Sequence, residues 1–184
     1  MKKLIGITGP LGSGKTTASK ILQNKGYVQL IFSDVIKDEA KKRGLPTDTR
    51  EILQDIGDEL RNKYGNEVLA KKLLKKAVKL KINFLVVDGI RNIGELNYIK
   101  KRGGFIIGIN SSLENRFKRI SVPGEFYYGK SKKEFEKDEA RDRGVGQDDF
   151  GQHAKDCLNA SDIIINNNGT LKNLKEILLH IISL

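Results

Sequence analysis

The residues with the clearest chemistry stand near the start of the chain. Gly9-Pro10-Leu11-Gly12-Ser13-Gly14-Lys15-Thr16 follows the pattern of Gly, four residues, then Gly-Lys-Thr. Glycine reaches backbone torsions closed to other residues, so successive N–H groups can curl around phosphate oxygens. A helix beginning at the end of the loop would turn its positive N-terminus toward the same anion. Lys15 can bridge β- and γ-phosphates, and the Thr16 hydroxyl can ligate Mg²⁺. A Gly-rich turn could match by accident. The strand pattern before this loop and the helical pattern after it argue for a phosphate site. The expected nucleotide-binding set is Gly9, Leu11, Gly12, Ser13, Gly14, Lys15, Thr16 and Thr17, with Arg116 downstream.

Three further groups could share the work. Asp88, in Val86-Val87-Asp88-Gly89-Ile90-Arg91, falls at the end of an apolar run. A carboxylate at a strand's C-terminal edge beside a phosphate loop can hold Mg²⁺, so Thr16 and Asp88 form the expected metal pair. Arg91 would then project into the crevice where open α/β sheets bind ligands. The blander reading makes Asp88 a helix cap and Arg91 a solvated side chain. Asp34, after Ser33, could accept a hydrogen bond from an acceptor hydroxyl; equally, it could cap the helix VIKDEAKKRG. Arg116 and Arg119 in ENRFKRI, and Arg141 and Arg143 in DEARDRG, could bind phosphate bidentately and stabilise charge on a transferring phosphoryl group. Alternatively, they belong to solvated, salt-bridged helices. The expected catalytic set is Lys15, Asp34, Arg91, Arg119, Arg141 and Arg143. His153, His180 and Cys157 lack partners at ligand-like spacing, and Cys157 reads as a small packing residue. Phe126, Tyr127 and Tyr128, near Lys130, could stack on bases; packing a lobe onto the core is the simpler reading.

These groups need a scaffold that brings them together. Lys3–Thr8, Tyr27–Phe32, Asn83–Val87, Phe105–Ile109 and Asp162–Asn166 read as five buried strands. Their Ile and Val runs are continuous rather than alternating, as in a sheet covered on both faces. Helical patterns lie between them, one from Lys15 to about residue 25. Another runs from Thr170 onward, with Leu171, Leu174, Ile177, Leu178 and Ile181 on one face. The alternation predicts an α/β, mostly parallel, doubly wound sheet in one domain spanning 1–184. Residues 34 to about 81 form a helical insertion, with Leu53, Ile56 and Leu60 as one stripe and Leu69, Leu73 and Val78 as another. Residues 121 to about 147 are highly charged with few apolar anchors, which predicts a loosely held lid.

Composition narrows the field. The chain has 184 residues, with 34 Lys plus Arg against 23 Asp plus Glu, a formal net charge of +11. That balance favours an anionic partner. A single cysteine excludes an internal disulfide framework and any multi-cysteine zinc site, and points to a reducing compartment. The N-terminal apolar run is too short for a signal-peptide core, and ILLHIISL is too short to span a bilayer. A cytoplasmic protein, acting without membrane as a monomer or homodimer, is the expectation. The basic residues are interleaved with acids, as in KKEFEKDEARDR, so nucleic acid is not the expected partner.

Taken together, these motifs resemble the nucleoside monophosphate kinase branch of the P-loop kinases over nearly the whole chain. GPLGSGKT opens the resemblance, and SDVIKDEAKKRG sits where those kinases begin their acceptor-binding lobe. DGIR looks like the Asp-Gly-x-Pro-Arg segment of adenylate kinases, without its proline; the likeness implies that Arg91 holds an acceptor phosphate. NRFKRI and the charged segment after it are similar to the lid region. TREILQDIGDELRNKYG and DGIRNIGELNYIKKRGG resemble phage-type deoxynucleoside monophosphate kinases and small archaeal adenylate-kinase-related proteins. ASDIIINNNGTLKNL resembles the end of dephospho-coenzyme A kinases. The resemblance implies a five-stranded parallel sheet of order 2-3-1-4-5, with acceptor-binding and lid insertions. It also implies ATP and Mg²⁺ as cofactors and a small phosphorylated acceptor, clamped by Arg91 with Arg50 or Arg61. A dephospho-coenzyme A kinase-like enzyme, using Asp34 beside a hydroxyl acceptor, is the alternative. A nucleotide switch or RNA-associated ATPase is a third reading.

Overall fold

A computed structural model of the chain describes residues 1, 3–124 and 129–183. The expected aromatic cluster Phe126, Tyr127 and Tyr128 lies outside them. Five strands, β1 (Lys3–Thr8), β2 (Val28–Ile31), β3 (Phe84–Ile90), β4 (Phe105–Asn110) and β5 (Ile163–Asn166), form one sheet of order β2-β3-β1-β4-β5. Every pairing is parallel. Parallel neighbours need long crossovers, which here are helical. They begin with α1 (Lys15–Gln23), α2 (Phe32–Lys42), α3 (Arg50–Tyr64) and α4 (Val68–Lys79). Then come α5 (Ile93–Lys100), α6 (Leu113–Ile120), α7 (Lys132–Arg143), α8 (Ala154–Asn159) and α9 (Leu171–Ser183). Among the described residues no helix is long and apolar enough to cross a membrane.

Successive strand residues face opposite ways, so each central strand feeds two cores. Leu4, Leu85, Val87 and Ile106 pack with residues of α2–α5 and with Cys157 of α8. Ile5, Ile7, Val86, Ile107 and Ile109 pack on the other face with residues of α1 and α9. The continuous apolar runs therefore belong to a doubly covered sheet, as expected. β5 is different. It is the last strand at one edge, and only Ile165 of its residues is buried. Two helical stripes also need correction. Val78 is 72% exposed, and Leu74 and Ala77 take the inward positions of α4. On α9, Leu174 and Leu178 are buried while Leu171 and Ile177 are exposed. Apolar periodicity located both helices, but each has more apolar residues than it has buried positions.

The charged stretch after residue 121 also differs from expectation. Its helix α7 begins with a capping box, in which the Ser131 hydroxyl accepts from the Glu134 N–H and Glu134 accepts from the Ser131 N–H. The helix packs on the core rather than standing away from it. Phe135 is fully buried, with its ring 5.4 Å from that of Phe117. Ion pairs add to this anchoring, among them Arg116–Glu139 and Arg141 with Asp55 and Asp58, so a segment poor in apolar residues is still held.

Candidate functional site

The loop between β1 and α1 departs from ordinary backbone at three places. Gly9, Gly12 and Gly14 have φ of 141°, 74° and 104°. A Cβ at Gly9 would stand 2.0 Å from the Ile109 carbonyl oxygen, and one at Gly12 would stand 2.6 Å from that of Arg116. Both contacts require glycine. The loop's carbonyls are held from outside. Arg116 donates from Nη1 to Leu11 O at 3.1 Å, and Arg119 donates from Nη1 to Ser13 O at 3.4 Å. Asn167 Nδ2 reaches the same Ser13 oxygen at 2.8 Å. The Leu11 and Ser13 carbonyls are thus engaged from outside the loop, while within it the Ser13 N–H donates to Pro10 O at 3.2 Å. Lys15 Nζ folds back over the loop and donates to Gly9 O at 2.7 Å and Pro10 O at 2.8 Å. Burial, reinforced by Arg91, holds its ammonium well below the usual lysine range, with Asp88 pulling the other way.

β3 delivers the second group. Ile7 of β1 pairs with Asp88 of β3, and the register shifts immediately afterward. Asp88 is thereby set beside the loop, where Gln29 Nε2 donates to its Oδ2 at 2.9 Å. Burial raises its carboxyl above the ordinary range, opposed by the nearby Lys15. Lys15, Thr16, Asp88 and Arg91 all line one cleft of about 750 Å³. The predicted metal pair and loop lysine are thus brought together. Arg50 and Arg61 line the same cleft from α3, as do the buried amides Gln54 and Gln152, which are bonded at 3.2 Å. Burial, with Arg50 and Arg61 close by, pushes the Arg91 guanidinium down to about 9.

Other expected residues fall elsewhere. Asp34 is exposed and lines a separate, smaller cavity with Asp38, Lys42, Lys72 and Lys76. α2 starts at Phe32 with Ile31 at the cap, and no side chain caps it. Asp34 therefore does not cap the helix either, and Ser33 is the residue turned to the cleft. Thr17 is partly buried on the first turn of α1. Arg116 is buried, and its remaining donors go to Ser111 O and Glu139 Oε1. Arg119 Nη2 donates to Asn167 O at 2.7 Å. These two brace the loop from its outer side. Arg141 turns to α3, 2.6 Å from Asp55 and 3.0 Å from Asp58. Arg143 is largely exposed, 3.7 Å from Glu139. Among the described residues lining the cleft, neither of these two lid arginines appears.

Several contributors were missed in the sequence. Glu95 Oε1 accepts from Arg61 Nε at 2.8 Å, and its Oε2 accepts from the backbone N–H groups of Arg91 and Asn92. It thus fixes both Arg61 and the turn that carries Arg91. The Asn92–Glu95 spacing is a capping-box signal that could have found it. Asn167 and Ser111 had no such local signal; they act through contacts distant in sequence.

Comparison with known proteins agrees with this architecture. A UPF0200 protein of Methanococcus maripaludis is 40% identical over 65% of this chain and 66% of its own length. One from Methanothrix thermoacetophila is 31% identical over 95% of this chain and 93% of its own. The chain spans only 53% of a UPF0200/UPF0201 protein of Archaeoglobus fulgidus. Shikimate kinase from Bacteroides thetaiotaomicron superposes with a TM-score of 0.61 at 15% identity, covering 99% of each chain; it shares the P-loop kinase fold. The AAA domain profile matches residues 5–144, which hold the glycine loop, the Asp88 strand and the cleft arginines alike. With that profile across most of its length and a near-full-length relative, the chain belongs to the UPF0200 family of AAA-domain proteins.

Proposed function

We propose that the chain is an ATP-dependent kinase that transfers a γ-phosphoryl group to a nucleoside or deoxynucleoside monophosphate. One observation carries the reading. A single cleft is lined both by the phosphate loop with Asp88 and by Arg50, Arg61 and Arg91. That puts a donor site in one cleft with several guanidinium groups, which match the planar, bidentate geometry of a phosphate. The donor side fits the implied cofactors. Three glycines hold the loop open to phosphate, and Thr16 and Asp88 offer hydroxyl and carboxylate oxygens for Mg²⁺. Thr16 and Asp88 would hold the ion, which would supply positive charge to offset that of the phosphates.

The protein's own residues would work mainly by positioning and electrostatics. Lys15 would exchange its two loop carbonyls for phosphate oxygens. Lys15 is half-buried in the cleft, so its charge interaction there is screened less than at an open surface. Arg91, with Arg50 and Arg61, would orient the acceptor phosphate in line with the donor. A phosphate acceptor is already ionised near neutral pH and needs no strong base. The position of Asp34 outside the cleft is consistent with that. A coupled ADP-release screen tests the reading across nucleoside monophosphates, deoxynucleoside monophosphates and dephospho-coenzyme A. Turnover with a monophosphate, lost by roughly 100-fold or more in Lys15→Ala, is expected by analogy with removal of one transition-state donor. Turnover only with dephospho-coenzyme A would select the hydroxyl-kinase alternative. A folded Lys15→Ala with normal turnover would remove the donor assignment.

A further inference from the structure

Helix α7 meets the core through Phe135, Asp138, Glu139 and Asp142, which share one face by their three- and four-residue spacing. Apart from Phe135 that face is acidic, and its carboxylates meet arginines of the core. Glu139 Oε1 accepts from Arg116 Nη2 at 2.9 Å. Asp138 Oδ2 lies 3.9 Å from Arg50 Nε. Asp142 Oδ1 pairs with Arg91 Nη1 and also stands 3.4 Å from Arg50 Nη2. Asp142 is 0% exposed and is not among the described residues lining the cleft, whereas Arg50 and Arg91 both line it. One buried carboxylate therefore sits behind two guanidinium groups that face the cleft.

Those two arginines come from separate elements. Arg50 is the first residue of α3, and Arg91 follows the end of β3. Converging like charges repel, strongly so where little water screens them. A shared carboxylate offsets that repulsion and limits the directions each guanidinium can take. We propose that Asp142 is a positioning residue that draws Arg50 and Arg91 into one anion subsite on the acceptor side of the cleft. Docking of α7 and assembly of that subsite are then a single event. The inference rests on the acceptor reading above and adds the residue that builds the site. α7 has other anchors: Phe135, the Arg116–Glu139 pair, and Arg141 on Asp55 and Asp58. Asp142→Asn, which keeps the shape and removes the charge, should therefore leave the helix docked.

The test uses the full chain with the phosphate loop saturated by Mg²⁺ and a non-hydrolysable ATP analogue. Inorganic phosphate is then titrated by calorimetry, and melting curves check the fold of each variant. The wild type should bind one further phosphate, and Arg91→Ala should lose it. Asp142→Asn should weaken it about 10-fold or more, the scale of a lost charge-assisted contact. Asp142→Glu, which keeps the charge, should stay within about threefold, a smaller change than loss of such a contact gives. If Asp142→Asn does not fold, Asp142→Glu decides alone: retained binding supports the role, and lost binding overturns it. If Arg91→Ala loses the phosphate while folded Asp142→Asn binds it as well as wild type or better, positioning by Asp142 is wrong and the acceptor reading survives. If the wild type binds no further phosphate, the acceptor reading falls and this inference with it.

Discussion

Truncating Glu95 to alanine should do more damage than any single change on the cleft surface. Its carboxylate is 0% exposed and its partner Arg61 is 2% exposed, with 2.8 Å between Oε1 and Nε. Oε2 also accepts the N–H groups of Arg91 at 3.0 Å and Asn92 at 3.2 Å, completing the capping box of α5. Glu95→Ala would leave Arg61 buried, with Asp58 at 3.1 Å as its remaining carboxylate, and would orphan two backbone donors. Removing one partner of a buried ion pair costs about 3–5 kcal/mol. A lost cap adds about 1 kcal/mol. Because Asp58 keeps part of the Arg61 charge neutralised, we expect a total near the lower figure, about 3–4 kcal/mol. That is a large share of the roughly 5–15 kcal/mol that holds a typical domain folded. Urea unfolding monitored by circular dichroism should show a lower midpoint at unchanged slope. The double variant Arg61→Met with Glu95→Ala should recover part of the loss, since it no longer buries an unpaired charge. A loss below about 1 kcal/mol, or full additivity in the double variant, would refute the reasoning.

Three other outcomes are expected. Lys15 is held below its usual range when no phosphate is bound, and a bound phosphate should restore its charge. Between that depressed value and the ordinary 10.5, nucleotide binding should take up protons, which calorimetry in two buffers of different ionisation enthalpy measures. The unliganded protein should show the matching sign: its Lys15 contribution to stability is present above 10.5 and is lost as pH falls through the depressed value. Asp88→Asn should raise the Mg²⁺ concentration needed for turnover, and EDTA should abolish turnover in the wild type; full activity in EDTA would contradict the Thr16–Asp88 metal assignment. Asp34→Asn should leave kcat and KM close to wild type, because Asp34 faces a different cavity from Lys15; a large drop in kcat would favour the hydroxyl-kinase alternative.

What was legible in the sequence is what short stretches of chain dictate. The glycine loop declared itself because three positive-φ residues and the start of a helix lie within a few positions. The place of Asp88 in the sheet was legible for a similar reason: it follows an apolar run, and parallel pairing of β1 with β3 sets it opposite Ile7, just before the loop. The alternation of strand and helix and the continuous Ile and Val runs likewise pointed to a doubly covered parallel sheet. The arginines were another matter. Arg91 was set apart by its place after a strand, but Arg116, Arg119, Arg141 and Arg143 were equivalent by type, and only the fold sorted those four. Arg91 and Arg50 line the cleft, Arg116 and Arg119 hold loop carbonyls more than a hundred residues away, and Arg141 fastens α7 to α3. Asp34 shows the same limit at close range. The helix begins at Phe32, and that phase turns Ser33 toward the cleft and Asp34 away from it. Helix phase and long-range charge pairing depend on which surfaces meet in three dimensions, so the tertiary structure decided them.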